Sequence, residues 1–365
     1  MAEKAIRLGG ESTAAAITQA VQELYPEHKF TEKEFARKNN ADEIALDSNF
    51  AAQSFWKDAL IRFFNKKSAV LGLILIVVIV ALAVLGPGMN AYTYSGQDLS
   101  QKNFAPRVPG IERLGILDGS EKMSTTTGTK VVNNYVDKGK TDVYYWFGSD
   151  LYGRDIWTRT WEGARVSLII AIAAAVIDMV IGMSYGLISG YFGGRVDMIM
   201  QRFLEVANGI PRLVIVTLLL LVLQPGMVTI IFALMLTEWV GMSRIARAEM
   251  LKLKDQEFVL ASRTLGAGSF FIIFKEVLPN IIGPIITQVM FSIPTAIFTE
   301  AFLSFVGLGI PVPQCSLGSL ISELYNSFTT HPYQIVPPIV VMSLLMLSFN
   351  LVADGLREAL DPKMK

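Results

Sequence analysis

The sequence predicts an all-α polytopic membrane protein with six transmembrane helices, and three observations carry that prediction. Of its 365 residues, 52% are hydrophobic and only 18% charged, where an ordinary soluble domain carries about 25% charged residues. Apolar runs of spanning length recur along the chain, and mean hydropathy is +0.44. Lysine and arginine concentrate in alternate connecting segments, the pattern that membrane insertion imposes on inner loops. Formal net charge is zero, so nothing suggests nucleic-acid binding. The single cysteine, Cys315, excludes an internal disulfide framework, and His28 and His331 are too far apart in sequence to suggest a metal pair.

Residues 1–55 form a mixed-charge N-terminal extension on the inner side, with a helix expected over Thr13–Tyr25 and ended by Pro26. Residues 56–89 hold an amphipathic approach and the first span. In the approach, Trp56, Leu60, Ile61, Phe63 and Phe64 alternate with Lys57, Arg62, Lys66 and Lys67, which suits the lipid interface. Ser68–Leu85 is the span itself, near the roughly 20 residues a bilayer requires. It starts too late in the chain for a secretory signal peptide and reads as retained.

Residues 90–160 are a long polar loop outside, a small subdomain with β-type stretches at Lys130–Tyr135 and Val143–Phe147. A core of five further spans follows over 161–365. The second, Val166–Tyr191, carries Gly182, Gly186, Gly190 and Gly194 at intervals of four, a glycine track on which another helix can lie close. Asp178 within it costs about 3 kcal/mol against lipid and is expected to face protein or water. The third, Glu205–Leu223, is broken at Gly209 and Pro211; Gln224-Pro225-Gly226 turns the chain into the fourth, Met227–Ile245.

The inner loop 246–280 has helix signals of its own. Phe258, Ala261 and Leu265 recur at helical spacing, Gly266 and Gly268 stop that helix, and Ser269 caps a second short one that Pro279 ends. The fifth span, Ile281–Leu308, contains Pro284 and Pro294 and the carboxylate of Glu300; Ile335–Val352 is the sixth. Glu300, Ser304 and Asn350 are the candidates for the substrate path, the default reading of an ionisable residue inside a span, and a structural hydrogen bond to a neighbouring helix accounts equally well for Glu300. The short outer loops 224–226 and 309–334 contain no Lys or Arg, so both termini are expected inside and 257–280 in the cytoplasm.

Ala261-Ser262, then Gly266 and Leu278-Pro279, resemble the "EAA" loop of importer permeases of the ATP-binding-cassette (ABC) class, although Leu260 stands where that family has glutamate and Glu276 where it has an apolar residue. Phe147-Gly148-Ser149-Asp150-Leu151-Tyr152-Gly153-Arg154-Asp155, Gly163–Leu168, Glu300–Gly309 with Pro311 and Pro313, and Asn350–Pro362 are similar to signatures of the second (C-type) permease subunit of oligopeptide and dipeptide importers. Leu317 replaces a tryptophan common there. Read locally, residues 150–155 are also a capped turn with Asp–Arg pairing at a helix start.

The resemblance implies the importer-permease fold and a non-catalytic subunit. It implies a homologous permease subunit beside it, two ATPase subunits that hold the ATP and magnesium, and an extracytoplasmic substrate-binding protein. No cofactor is expected in this chain, and membrane lipid surrounds it. Coupling to the ATPases falls, by the same resemblance, on Glu257, Ala261, Ser262, Arg263 and Gly266. The solute would be a peptide, with nickel or another small solute also found among such relatives. A gradient-driven secondary transporter or channel is the alternative, with Asp178 and Glu300 as ion sites; a membrane scaffold displaying the 90–145 loop is a third. Gly139-Lys140-Thr141 is the tail of a phosphate-loop pattern, but Asn134 occupies its first glycine position and the segment is expected outside.

Overall fold

A computed structural model describes residues 55–125 and 128–360. The expected Thr13–Tyr25 helix and the last residues of the chain's C-terminal signature lie outside the described residues. The compact unit Asp58–Lys365 is a helical bundle; of the unit before it, only Phe55–Lys57, the first turn of α1, is described. Helix α1 (Phe55–Asn65) leads into α2 (Lys67–Leu85). An outer segment carries the antiparallel hairpin β1 (Ser120–Thr125) and β2 (Gly128–Asn133) and the single turn α3 (Asn134–Asp137). The bundle continues with α4 (Ile156–Phe192), α5 (Gly194–Gly209), α6 (Arg212–Val222), α7 (Met227–Leu253), α8 (Glu257–Thr264), α9 (Ser269–Leu308), α10 (Leu317–Tyr325) and α11 (Val336–Leu360).

Among the described residues, five helical segments are long and apolar enough to cross a membrane. The α5–α6 pair, bent by 77°, makes a sixth if counted as one span. Gly209 and Pro211 explain the bend. Proline pushes the residue before it out of the helical region, and both Ile210 and Pro211 are extended. Helix α5 begins well before the expected start at Glu205, so the long arm of this element lies ahead of the break.

Alanine, leucine and isoleucine from α4, α7, α9 and α11 form the central core, including Ala164, Ala171, Ile230, Leu234, Ile297 and Leu345. Proline does not end α9 where expected. Pro284 and Pro294 sit inside it, and Pro279 lies within a helix that starts at Ser269. The wider π-type turns over Ile272–Val277 sit directly before Pro279, where a proline ring crowds the preceding turn and cannot donate. The loop after α9 is not featureless either: Ser316 and Ser319 cap α10 reciprocally.

The outer segment has its own small core, in which Phe104, Tyr135 and Tyr145 are buried together. Strand β2 stops at Asn133, whose side chain caps α3, and Val143–Phe147 forms no strand. Asn134 thus lies in a helical turn, and Gly139 takes φ +64 in the turn after it rather than opening a phosphate loop.

Candidate functional site

One end of the bundle projects α8 and the corner after it. The apolar stripe read from the spacing faces outward. Val259 is the fully buried residue of α8, packed with Met250, Ile272, Ile273 and Val277, whereas Phe258, Ala261 and Leu265 face outward. Leu260, Leu265, Phe270 and Phe271 extend the same uncovered apolar surface, Leu265 being 88% exposed. Full burial in α8 therefore rests on one side chain, with Ser262 half-buried one turn on.

The corner is fixed by backbone and side chain together. Leu265 N–H donates to the Ala261 carbonyl at 3.0 Å and Ala267 N–H to the Ser262 carbonyl at 3.0 Å, with Gly266 at φ +83 between them. A left-handed glycine after the last turn lets those carbonyls be satisfied. Ser262 Oγ donates to Glu276 Oε1 at 2.5 Å, so the carboxylate that departs from the family pattern anchors α8 to the start of α9. The Arg263 guanidinium lies 5.5 Å from the Tyr191 ring, which ties α8 to the end of α4. Glu257, exposed in the first turn, complements the helix dipole. Gly268, not Ser269, is the cap residue before α9.

Helices α4 and α7 meet along the glycines. A Cβ at Gly182 would come within 2.5 Å of the Trp239 carbonyl, and one at Gly190 within 2.9 Å of Met250. At Gly186 it would strike the Ser243 carbonyl and stand 2.8 Å from Ala246. Gly194 is not part of this contact: α4 ends at Phe192, and Gly194 has φ +50 and open space around it.

Of the substrate-path candidates, Glu300 and Ser304 are bonded to each other. Glu300 is fully buried and accepts from Ser304 Oγ at 2.7 Å, Ser316 Oγ at 2.5 Å and Ser167 Oγ at 3.2 Å. Those bonds join α4, α9 and the α10 cap. Asn350 is half-buried on α11. A polar cavity of about 290 Å³ lies elsewhere, at the α5–α6 elbow, and is lined by Asp178, Asn208, Arg212, Glu238, Arg244 and Ser292 among others. Arg212 pairs with Glu238 at 2.7 Å and donates to Thr299 Oγ1 at 3.1 Å. Sequence reasoning missed this pair, whose members lie on different helices.

At the opposite end of α4, Asp155 caps the helix by accepting from Thr158 N–H at 2.8 Å, and Asn90 Nδ2 adds a bond at 2.7 Å. Burial raises the Asp155 carboxyl against these bonds. Asp150 accepts from Arg154 at 2.7 Å and Arg159 at 2.8 Å, and Arg159 reaches Glu323 on α10 at 2.7 Å. Burial pushes Glu323 upward, but Arg159 and Arg154 overcome it and hold the carboxyl below the usual range. The Asp–Arg pairing read from residues 150–155 is present; the α10 partner was not legible. Cys315, buried, rests its Sγ on the Arg159 carbonyl.

Residues 182–365 match the family model "Binding-protein-dependent transport system inner membrane component", and residues 54–106 match "N-terminal TM domain of oligopeptide transport permease C". The chain is 40% identical over 330 residues to the oligopeptide transport system permease protein OppC of Bacillus subtilis (strain 168), covering 90% of this chain and 95% of that one. It is 40% identical over 330 residues to the dipeptide transport system permease protein DppC of the same organism, at 90% and 91% coverage. A DppC of Lactococcus lactis subsp. cremoris (strain MG1363) is 41% identical over 328 residues, at 86% and 92% coverage.

Proposed function

The chain belongs to the binding-protein-dependent transport system inner membrane components, as a non-catalytic, multi-pass ABC importer permease, and from that membership we propose that it passes oligopeptides or dipeptides inward. Its relatives' names supply the solute class. A homologous permease subunit completes the pore, two ATPase subunits dock on α8 and its corner, and an extracytoplasmic binding protein delivers the peptide to the other end. The organism would be bacterial, with both termini on the cytoplasmic side, and the domains would divide as 1–55, 56–89, 90–160 and 161–365.

The uncovered apolar surface of Phe258, Leu260, Leu265 and Phe270 around a rigid glycine corner carries this reading. Exposed apolar groups at the end of a bundle mark a protein interface. In the mechanism, closure of the ATPases displaces α8. Val259 and the Ser262–Glu276 bond pass that displacement to α9, and Arg263 on Tyr191 passes it to α4. Glu300, Ser304 and Asn350 then hold helices in register rather than contact the peptide.

Because the lone native cysteine is buried, Leu265→Cys gives a uniquely reactive thiol. It should react only from the cytoplasmic side and should be protected when the ATPases are present. Labelling from outside, or uptake by the isolated chain driven by an ion gradient, would refute the assignment.

A further inference from the structure

We propose that the cavity at the α5–α6 elbow is a charge-paired site for the termini of a short peptide, with Asp178 receiving the ammonium and Arg244 the carboxylate. The proposal rests on the peptide-permease reading and adds the residues that would sense the solute.

Asp178 is only 2% exposed, and its two oxygens differ. Oδ2 accepts the Ser292 hydroxyl from α9; Oδ1, itself buried, has no partner. A buried carboxylate oxygen without a donor is costly, and a ligand ammonium would satisfy it. Arg244 lines the same cavity, is exposed, and has no ion-pair partner among the described residues. Arg212, also exposed, keeps Glu238 as its partner.

Both arginines belong to segments of spanning length, or to the bent pair. Guanidinium groups inside a span turn toward water or protein rather than hydrocarbon, which places the cavity on a wet or subunit-facing side. Two carboxylates, Asp178 and Glu238, balance two guanidiniums, Arg212 and Arg244, so the lining is neutral but strongly dipolar. A zwitterion complements it better than an ion of either sign. The volume, about 290 Å³, sits at the low end for small-solute sites, which favours the shortest peptides.

The test uses the whole transporter in vesicles with its binding protein. Uptake of a zwitterionic dipeptide is compared with its N-acetylated and C-amidated forms. Asp178→Asn should cut the preference for the free amine over the acetylated form about tenfold, the scale of one charge-assisted hydrogen bond. Arg244→Gln should do the same for free acid over amide, and each variant should leave the other ratio unchanged. Ratios cancel differences in expression, and should Asp178→Asn fail to accumulate, the exposed Arg244 variant decides. Unchanged ratios would mean a water-filled gap and overturn the site while leaving the permease reading intact. A wild-type complex that imports no dipeptide would overturn the peptide reading itself.

Discussion

Ser262 on the projecting helix donates to the Glu276 carboxylate at 2.5 Å, and that bond closes the corner between α8 and α9. The other carboxylate oxygen is buried without a partner, so the geometry depends on Ser262. Ser262→Ala should loosen the corner by about 1.5–3 kcal/mol, the worth of a hydrogen bond to a charged group. Fewer peptides should be imported per ATP hydrolysed, with the complex still assembled. Parallel uptake and hydrolysis assays check this; an unchanged ratio means the bond has no part in coupling.

Gly266 sits at φ +83, which proline cannot adopt and alanine adopts at about 1–2 kcal/mol. Gly266→Pro should abolish uptake or release the ATPases while leaving membrane insertion intact, and a bulky charge at Ala261 should do likewise. Co-purification and insertion assays separate the two steps. Gly266→Ala should be milder, because a Cβ there meets nothing.

Gly186 faces the Ser243 carbonyl with no room for a side chain. Gly186→Leu should separate α4 from α7 and destabilise the protein by about 3 kcal/mol or more through overpacking. A lowered melting temperature in detergent would show it. The same change at Gly194 should cost only its backbone strain, since that residue lies outside the contact.

At the outer end, Glu323 binds Arg159 and Arg154 with its carboxyl held low. A lowered folded value contributes stability that is complete above the ordinary glutamate range, about pH 4.3, and is lost as pH falls through the folded value. Glu323→Gln leaves Arg159 with Asp150 alone and should cost about 3 kcal/mol at neutral pH. Acid titration of melting temperatures should show the wild type losing its advantage below that range; parallel curves would exclude the linkage.

Hydropathy made the spans legible because lipid demands uninterrupted apolar length, and the break at Gly209 and Pro211 followed from backbone chemistry. For α8 the spacing was legible, but not which side packs on the bundle. Helical spacing finds an apolar stripe but cannot say whether the bundle or a partner covers it, and here Val259 alone is fully buried. Pro279 misled because π-type turns relieve a clash that sequence rules count as terminal. Asp150, Arg154 and Arg159 lie close in sequence and were partly visible; Glu323, like the Arg212–Glu238 pair, required the fold.

Helix α4 has one further consequence. Its 37 residues make a rod about 55 Å long, touched by Arg263 at one tip and gripped through Arg159 near the other. A member of that length turns a small change of inclination at its base into several ångströms of sway at its summit. Under the proposed docking, a push at the Tyr191 end would thereby reach the Arg159 end along a single element, across the π-type turns at Asp178–Gly182.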